Sequence, residues 1–330
     1  MNYRRFGKTD LFLSETGFGA WAIGGAAKVG DLPIGWGQTD DNESITALHT
    51  AFNQGINFYD TADFYGLGHS ETLIGKVFGN SSDVIIATKV GQKPGMDRPV
   101  EIDYDRQYIV KACELSLQRL QRGHIDYYQL HVANLQHLQQ GDCIQAMSDL
   151  QQQGKIRYWG ISLSTYNPFP EAAYMLQNGF GHGFQLAFNI INQRALPLIS
   201  EMFENGYGII ARMPLQFGLL SGKFSSSSKF EDTDHRSFRL TPEIIETANK
   251  LLAEIWPIAS NYNISKAHLA LSFILSFPEI STIIPGIRTD RQAIDNSAPP
   301  VALLPEERNC ITALYLNGFE SLLNQMQKQG

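Results

Sequence analysis

The sequence predicts an α/β protein whose parallel strands close into a (β/α)8, or TIM, barrel. Three observations lead there. Short β-branched runs alternate strictly with longer amphipathic stretches, the pattern of a parallel sheet with crossover helices. The alternation repeats eight times within 330 residues, a length that suits one closed barrel. The G-x-G-x-x-G turn of an open dinucleotide-binding sheet is missing after the first strand, where Gly17, Gly19, Gly24 and Gly25 are spaced otherwise.

The elements follow in order. A first strand is expected near 16–21. A helix over 39–54 places Ile45, Leu48 and Phe52 on one face with Ala47 and Ala51 beside them, Asp40 and Asp41 at its N-cap and Gly55 at its end. Strand 56–60 comes next, then helix 69–77 and strand 84–88. Helix 105–121 carries Val110, Cys113, Leu117 and Leu120 on one face and leads to strand 125–130. Helix 142–152 precedes strand 156–161, helix 170–178 precedes strand 184–188, and helix 195–204 precedes strand 207–211. A long helical stretch over 242–277 precedes strand 281–284 and a helix near Asp290. From Pro305 onward the chain reads as helical, with Ile311, Leu314, Leu316, Phe319 and Leu322 available for packing. No linker divides 1–330, so one barrel domain with a C-terminal helical extension is expected; 225–228 is a short polar loop.

Composition narrows the class. Apolar residues make up 43% and charged residues 18%, ordinary for a globular protein. A net charge of -7 argues against nucleic acid or an anionic membrane surface as a main partner, though a local cluster of donors can still bind an anionic cofactor. Cys113, Cys143 and Cys310 are far apart with no CxxC pair, so neither a disulfide framework nor a structural zinc site is expected, and Cys113 and Cys143 read as small core thiols. The N-terminus has no apolar run after its charges, and no stretch approaches the roughly 20 apolar residues of a membrane span. A cytoplasmic location is the expectation.

Barrel enzymes carry their reactive groups at the C-terminal ends of strands. Here those positions hold Asp60 with Tyr65 just beyond it, then Lys89, His131, Ser162, Gln185 with Asn189, Arg212, and Pro285-Gly286. Each has an ordinary structural use alone; an aspartate caps turns, and a lysine after a strand usually reaches solvent. The set converging on one rim points instead to reversible carbonyl reduction, in which charge building on a carbonyl oxygen needs a proton donor already in place. A phenol is a sluggish acid near neutrality, with an ordinary pKa of about 10. A neighbouring ammonium favours its ionised form. Asp60 would hold Lys89 charged and oriented, and His131 would hydrogen-bond the carbonyl oxygen. A metal-dependent hydrolase would want more carboxylates or a His-x-His pair at the strand ends, so no metal is expected.

These residues resemble the aldo/keto reductase superfamily. The resemblance is carried by 55–75 (GINFYDTADFYGLGHSETLIG), 85–90 (IIATKV), 125–131 (IDYYQLH), 156–162 (IRYWGIS), 218–223 (GLLSGK) and 284–296 (IPGIRTDRQAIDN), and it runs from Tyr3 to about Ala298. It implies NADPH or NADP+ bound without a Rossmann fold, and Asp60, Tyr65, Lys89 and His131 as a catalytic tetrad with Tyr65 the general acid. By position, Ser162 and Gln185 would hold the nicotinamide carboxamide. Residues 215–223, including Leu215, Gly218, Leu220, Gly222 and Lys223, would line the pyrophosphate, with Pro214 among the cofactor contacts. Gly286, Arg288, Gln292 and Asn296 would surround the adenosine and its 2′-phosphate, where a guanidinium can stack on adenine and pair with phosphate.

Two positions depart from the family. Leu163 stands where many members have asparagine, and Arg212 where many have an aromatic residue stacking on the nicotinamide. Arg212 could stack by its flat face or attract an anionic substrate. The resemblance implies an NADPH-dependent reductase of aldehydes, ketones or sugar carbonyls, with reaction direction and oligomeric state left open. The alternative is an NADP(H)-binding regulatory or redox-sensing protein, as the potassium-channel β subunits are on this fold. Substrate choice would lie in loops 22–37, 93–104 and 225–240, with Trp21, Phe64, Trp36 and Tyr166 as candidate pocket residues.

Overall fold

The structure, a computed structural model, describes residues 1–95 and 100–329. The expected loop 93–104 therefore falls partly outside the described residues. Eight parallel strands form the barrel: β1 Phe18–Gly19, β2 Phe58–Asp60, β3 Ile85–Val90, β4 Ile125–His131, β5 Ile156–Ser162, β6 Gly183–Ala187, β7 Gly208–Arg212 and β8 Thr282–Ile284. They are hydrogen-bonded in that order, and the ring closes through bridges of Thr16 to Ile283 and Gly19 to Gly286. At the seam Gly17 N donates to Ile283 O at 2.7 Å, and Ile283 N to Glu15 O at 2.9 Å. All eight expected strands are present.

The surrounding helices follow from local chemistry. In α1 (Asp41–Asn53) the Asp40 carboxylate accepts from the amides of Asn42 and Glu43, and Gly55 leaves the helix with φ 91°. Its buried stripe is Ser44, Ala47, Leu48 and Ala51; Ile45 is half-buried and Phe52 exposed, because the small residues let the helix lie close on the barrel. Next come α2 (His69–Phe78), α3 (Arg106–Leu120), α4 (Asp142–Gln152), α5 (Phe169–Asn178) and α6 (Leu196–Glu204). The helical stretch expected over 242–277 is three helices: α7 (Pro242–Leu252), α8 (Trp256–Asn261) and α9 (Lys266–Leu275). Pro257 lacks the N–H that a continuous helix needs. Asn263 then turns through φ 53°, and Ser265 caps α9 by accepting from His268 N. After α10 (Asp290–Asn296), α11 (Pro305–Leu314) and α12 (Glu320–Gln327) are joined by a π turn that leaves Leu316 exposed, while Ile311, Leu314, Phe319 and Leu322 are buried. Among the described residues, no helix is long and apolar enough to cross a membrane.

Strand alternation sorts the core into two parts. Outward residues such as Tyr59, Ile86, Tyr128, Leu130, Ile161, Phe184 and Ile209 pack under the helices, together with buried Cys113 and Cys143. Inward residues Phe58, Ala87, Tyr127, Ile210 and Ile284 form an apolar floor with Phe6, Leu11 and Leu13. Those last three come from an N-terminal hairpin of Tyr3–Arg5 with Phe12–Ser14, too short to show periodicity in the sequence. The Phe6 ring is wholly buried and plugs the barrel. Its seat exists because Gly183 and Gly208 lack side chains: a Cβ there would lie 2.3 Å and 2.1 Å from ring atoms of Phe6. Such a buried ring is worth about 2–3 kcal/mol.

Candidate active site

Above the apolar floor the inward positions turn polar. Continuing each strand by two residues from the floor gives Asp60 after Phe58, Lys89 after Ala87, Gln129 and His131 after Tyr127, and Arg212 after Ile210. Ser162 and Gln185 follow Gly160 and Gly183 in the same way. The strand ends thus carry a polar layer that the sequence alternation itself specifies.

Asp60 is its centre. Lys89 Nζ donates to Asp60 Oδ1 at 2.5 Å, to Thr61 O at 2.8 Å and to Tyr65 Oη at 3.3 Å. The ammonium has no solvent exposure. Burial disfavours its charge, but Asp60 and then Tyr65 outweigh burial and hold its pKa above the ordinary lysine value. Oδ2 of Asp60 accepts from Gln129 Nε2 at 3.0 Å and from Gln185 Nε2 at 2.7 Å. Ser162 Oγ lies 3.4 Å from Gln185 Oε1. Tyr65 reaches this group from a short loop tied to β3: Thr61 N donates to Ala87 O at 2.8 Å and Asp63 N to Lys89 O at 3.3 Å. Beyond Tyr65 the chain turns sharply through Gly66 (φ 61°) and Leu67 (φ 53°). A Cβ on Gly66 would stand 2.2 Å from Gly24 O, so the turn that presents the phenol needs glycine.

The His131 ring stands edge-on to Tyr65, with ring centres 5.9 Å apart. Burial first, then the cations Lys89 and Arg212, push its pKa well below the ordinary histidine value, so the imidazole is neutral and has one N–H to donate. Tyr104 Oη donates to the His131 carbonyl at 2.6 Å and fixes the end of β4. Arg212 is held by Leu163 O (3.0 Å) and Thr165 Oγ1 (2.9 Å), so the carbonyl of Leu163 anchors the guanidinium. On the other side of Tyr65 stands Trp21, near parallel at 20° with centres 5.8 Å apart. Phe64 is buried beside the same turn and Tyr166 is half-buried.

The residues matched to the cofactor form an arc that is much more open. Leu215, Gly218 and Gly222 are half-buried, Lys223 is exposed, and Pro214 and Leu220 are buried in the turn. The segment is made of left-handed residues, Gln216 (φ 45°), Phe217 (φ 56°) and Gly218 (φ 93°), which turn it across the rim. At the far end Gly286 is exposed and a Cβ there would meet nothing within 4 Å. Arg288 N donates to Gln292 Oε1 at 2.8 Å, and Asn296 is buried at the end of α10. Exposed Lys223 and half-buried Arg288, in the segments that follow the last two barrel strands, together with the polar groups at the strand ends, fit an elongated anionic cofactor with a polar reactive end.

Two residues near the site escaped sequence reasoning, Gln129 and His235. Gln129 was legible in principle, being two residues before His131 and so on the same inner face. Trp36 was noted only as a possible pocket residue, and its partner His235 was not noted: nothing in either loop marks the two as neighbours.

The family model described as Aldo/keto reductase family matches residues 15–309. An aldo-keto reductase of Bacillus subtilis, YhdN, is 30% identical over 313 residues, covering 88% of this chain and 86% of its own. Among solved structures, the holo form of an aldo-keto reductase from Bacillus halodurans superposes with a TM-score of 0.76 at 28% identity, covering 95% of this chain and 96% of that one. A glycerol dehydrogenase from Gluconobacter oxydans gives 0.79 at 25% identity, covering 96% of each chain.

Proposed function

This chain belongs to the aldo/keto reductase family of oxidoreductases, and we propose that it reduces aldehyde, ketone or sugar carbonyls with NADPH, Tyr65 acting as general acid. The observation that carries this reading is the buried Lys89 ammonium bonded at once to Asp60 and to the Tyr65 hydroxyl. When bound along the arc from Lys223 to Arg288, the cofactor supplies the hydride. The protein supplies everything else. Tyr65 Oη is the proton donor for the carbonyl oxygen, and the phenolate left behind is stabilised by the adjacent ammonium. Asp60 keeps that ammonium charged and aimed, and Gln129 and Gln185 fix the Asp60 carboxyl group by donating to Oδ2. Neutral His131 orients the carbonyl by its one N–H, and Trp21 walls the site against water. In the reverse direction the same phenolate accepts the proton of an alcohol. Ser162, whose buried hydroxyl lies 3.4 Å from Gln185 Oε1, and Arg212 are proposed to seat the nicotinamide end; Arg288 is proposed to read the 2′-phosphate.

The test is cofactor oxidation with 4-nitrobenzaldehyde and methylglyoxal, run with NADPH and with NADH. Turnover with NADPH is the expected result. Tight NADPH binding without turnover across a broad carbonyl panel overturns the reductase reading in favour of a cofactor-sensing role.

A further inference from the structure

Two kinds of group surround Tyr65. One is a set of uncharged rings. Trp21 lies near parallel to the phenol, His235 stacks on Trp21 with centres 4.5 Å apart, and Trp36 stands edge-on to His235. Burial, then the cation of Arg239, push the His235 pKa down to about 3, so this imidazole is neutral. The other is a pair of guanidinium groups. Arg212 ends β7 in the same inward layer as Asp60 and Lys89, and Arg239 enters from the short helical turn Arg236–Arg239.

Arg212 lacks what Lys89 has. Lys89 is paired with a carboxylate, whereas the three bonds of the Arg212 guanidinium go to Leu163 O, to the Thr165 hydroxyl and to Met213 Sδ at 3.0 Å, all neutral. Among the described residues it makes no ion pair, and Asp60, the carboxylate of that layer, is already bonded to Lys89 and two glutamines. Burial holds the Arg212 pKa below the ordinary arginine value against the pull of Tyr65, Asp60 and Tyr166, and Arg239 acts in the same sense as burial. A guanidinium does not escape by losing its proton. A partly desolvated charge bonded only to neutral groups is costly. Arg239 is under the same stress: burial lowers its pKa, with the Tyr166 hydroxyl opposing.

Both cations act on the Tyr166 hydroxyl. The loop that carries it is pinned by Arg212 at Leu163 and Thr165 and by Arg194, which donates to Tyr166 O at 2.7 Å. Tyr65, Tyr166, Arg212 and Arg239 are each partly exposed, so the group is open to a ligand from solvent. Two like charges that repel each other and are reached from solvent are stabilised by an anion between them. The anion could come from the substrate or from the cofactor's phosphates. The position of Arg212 favours the substrate, because it shares the layer of Asp60 and Lys89 and the charge of Tyr65 is the first to oppose its burial. Arg239 also reaches towards 215–223, with its guanidinium 5.5 Å over the Phe217 ring, so cofactor affinity has to be read as well.

We propose that Arg212 and Arg239 form a subsite for a carboxylate carried by the carbonyl substrate, so that the preferred substrates are oxo acids and not neutral carbonyl compounds. The proposal rests on the reductase reading of Tyr65 and names the substrate class of that site.

The experiment compares 4-carboxybenzaldehyde with 4-nitrobenzaldehyde at saturating NADPH. The two para groups are alike in size and shape, and only the first is charged. Wild type, Arg212→Gln, Arg212→Lys and Arg239→Gln are used. Both aldehydes meet the same loaded enzyme, so the ratio of their kcat/KM values removes a variant's effect on the cofactor. Wild type should prefer the carboxylate at low salt although the nitro compound has the more electrophilic carbonyl. That preference should fall as salt rises, a test that needs no variant. Arg212→Gln should cut the ratio by about tenfold and Arg239→Gln by about threefold, while Arg212→Lys, which keeps the charge, should lose less than Arg212→Gln. Benzoate binding to the NADP+ complex, read by calorimetry, should weaken in step. A wild-type ratio below one, or a ratio unchanged in either glutamine variant, overturns the proposal. Weaker NADPH binding by fluorescence titration with an unchanged ratio also overturns it and assigns the cations to the cofactor. If neither aldehyde reacts, the reductase reading fails and benzoate decides the subsite: bound by wild type and weakened in both glutamine variants, it stands; unbound or unaffected, it falls.

Discussion

The reaction end of the site and the cofactor arc are built on opposite plans. At the reaction end the protein supplies its own partners: Asp60 is bonded by Lys89, Gln129 and Gln185, Lys89 has no solvent exposure, and His131 is buried and neutral. Along the arc, Lys223 and Gln292 are exposed and Arg288 is half-buried. The difference teaches where each kind of free energy is spent. The reaction end holds its dipoles and charges fixed before anything binds, which favours a developing charge over a ground state. The arc leaves its charges in water, so they act on affinity and selectivity. Changes at the first region should therefore alter turnover or stability, and changes at the second should alter binding.

The largest effect expected is at Tyr65. Tyr65→Phe keeps the ring against Trp21 and Lys89 and removes only the transferable proton. Reductase kcat should fall by about 10²–10⁴-fold, while NADPH affinity by fluorescence titration stays within about twofold. A variant with normal kcat would break the comparison, because the most tightly organised group would then do no chemistry.

Stability should depend on pH at the closed end. His235 titrates near 6.5 in the unfolded chain and at about 3 when folded. Its folded pKa is depressed, so the unfolded state binds the extra proton between those values. Its contribution is complete above about pH 6.5 and is lost as pH falls towards the folded value. The wild type should thus lose stability relative to His235→Phe by up to about 1.4 kcal/mol per pH unit between about pH 6 and pH 4, read by urea denaturation of the two proteins. A difference that stays flat across that window means that His235 is protonated, or solvated, in the folded protein.

A smaller loss is expected from thinning the network on Asp60. Gln129→Leu removes one of two amide donors to Oδ2 and leaves the Lys89 contact. A hydrogen bond to a charged group is worth about 1.5–3 kcal/mol, and Gln185 retains part of that support. We expect kcat to fall by about tenfold, with little change in KM for NADPH. The decisive readout is the pH profile: a weaker hold on Asp60 should move the limb of kcat that reports this coupled group, whereas a packing defect would lower kcat equally at every pH.

How much of this was legible in the sequence depended on range. Periods of two and of 3.6 are local, so eight strands, most helices and the strand-end positions of Asp60, Lys89 and His131 could be read directly. The break in 242–277 is also local, at Pro257, but the apolar pattern continues on both sides of it. Contacts made by loops were hidden. Phe6 in the floor is explained only by the absence of side chains at Gly183 and Gly208, and the neighbourhood of Trp36 and His235 only by the closing of two loops over one rim. The polar bonds that organise the rim were legible as residue types, and their partners were not: Gln185, matched to the cofactor by position, also donates to Asp60.

The smallest effect should come from the arc, and it tests the comparison from the open side. Arg288 makes no ion pair among the described residues, and its backbone N–H is already taken by Gln292. Its guanidinium is therefore available to a phosphate, but in a half-exposed position where solvent and salt screen the attraction. Arg288→Ala should weaken NADPH by several-fold at low ionic strength, weaken NADH much less, and leave kcat at saturating NADPH unchanged. The NADPH loss should shrink as salt rises, since screening removes in the wild type what the mutation removes outright. Equal losses for the two cofactors would mean that the side chain stacks on the adenine without meeting the 2′-phosphate. A fall in kcat at saturation would mean that the arc and the reaction end are coupled, and that the division between a pre-bonded end and an open one does not hold.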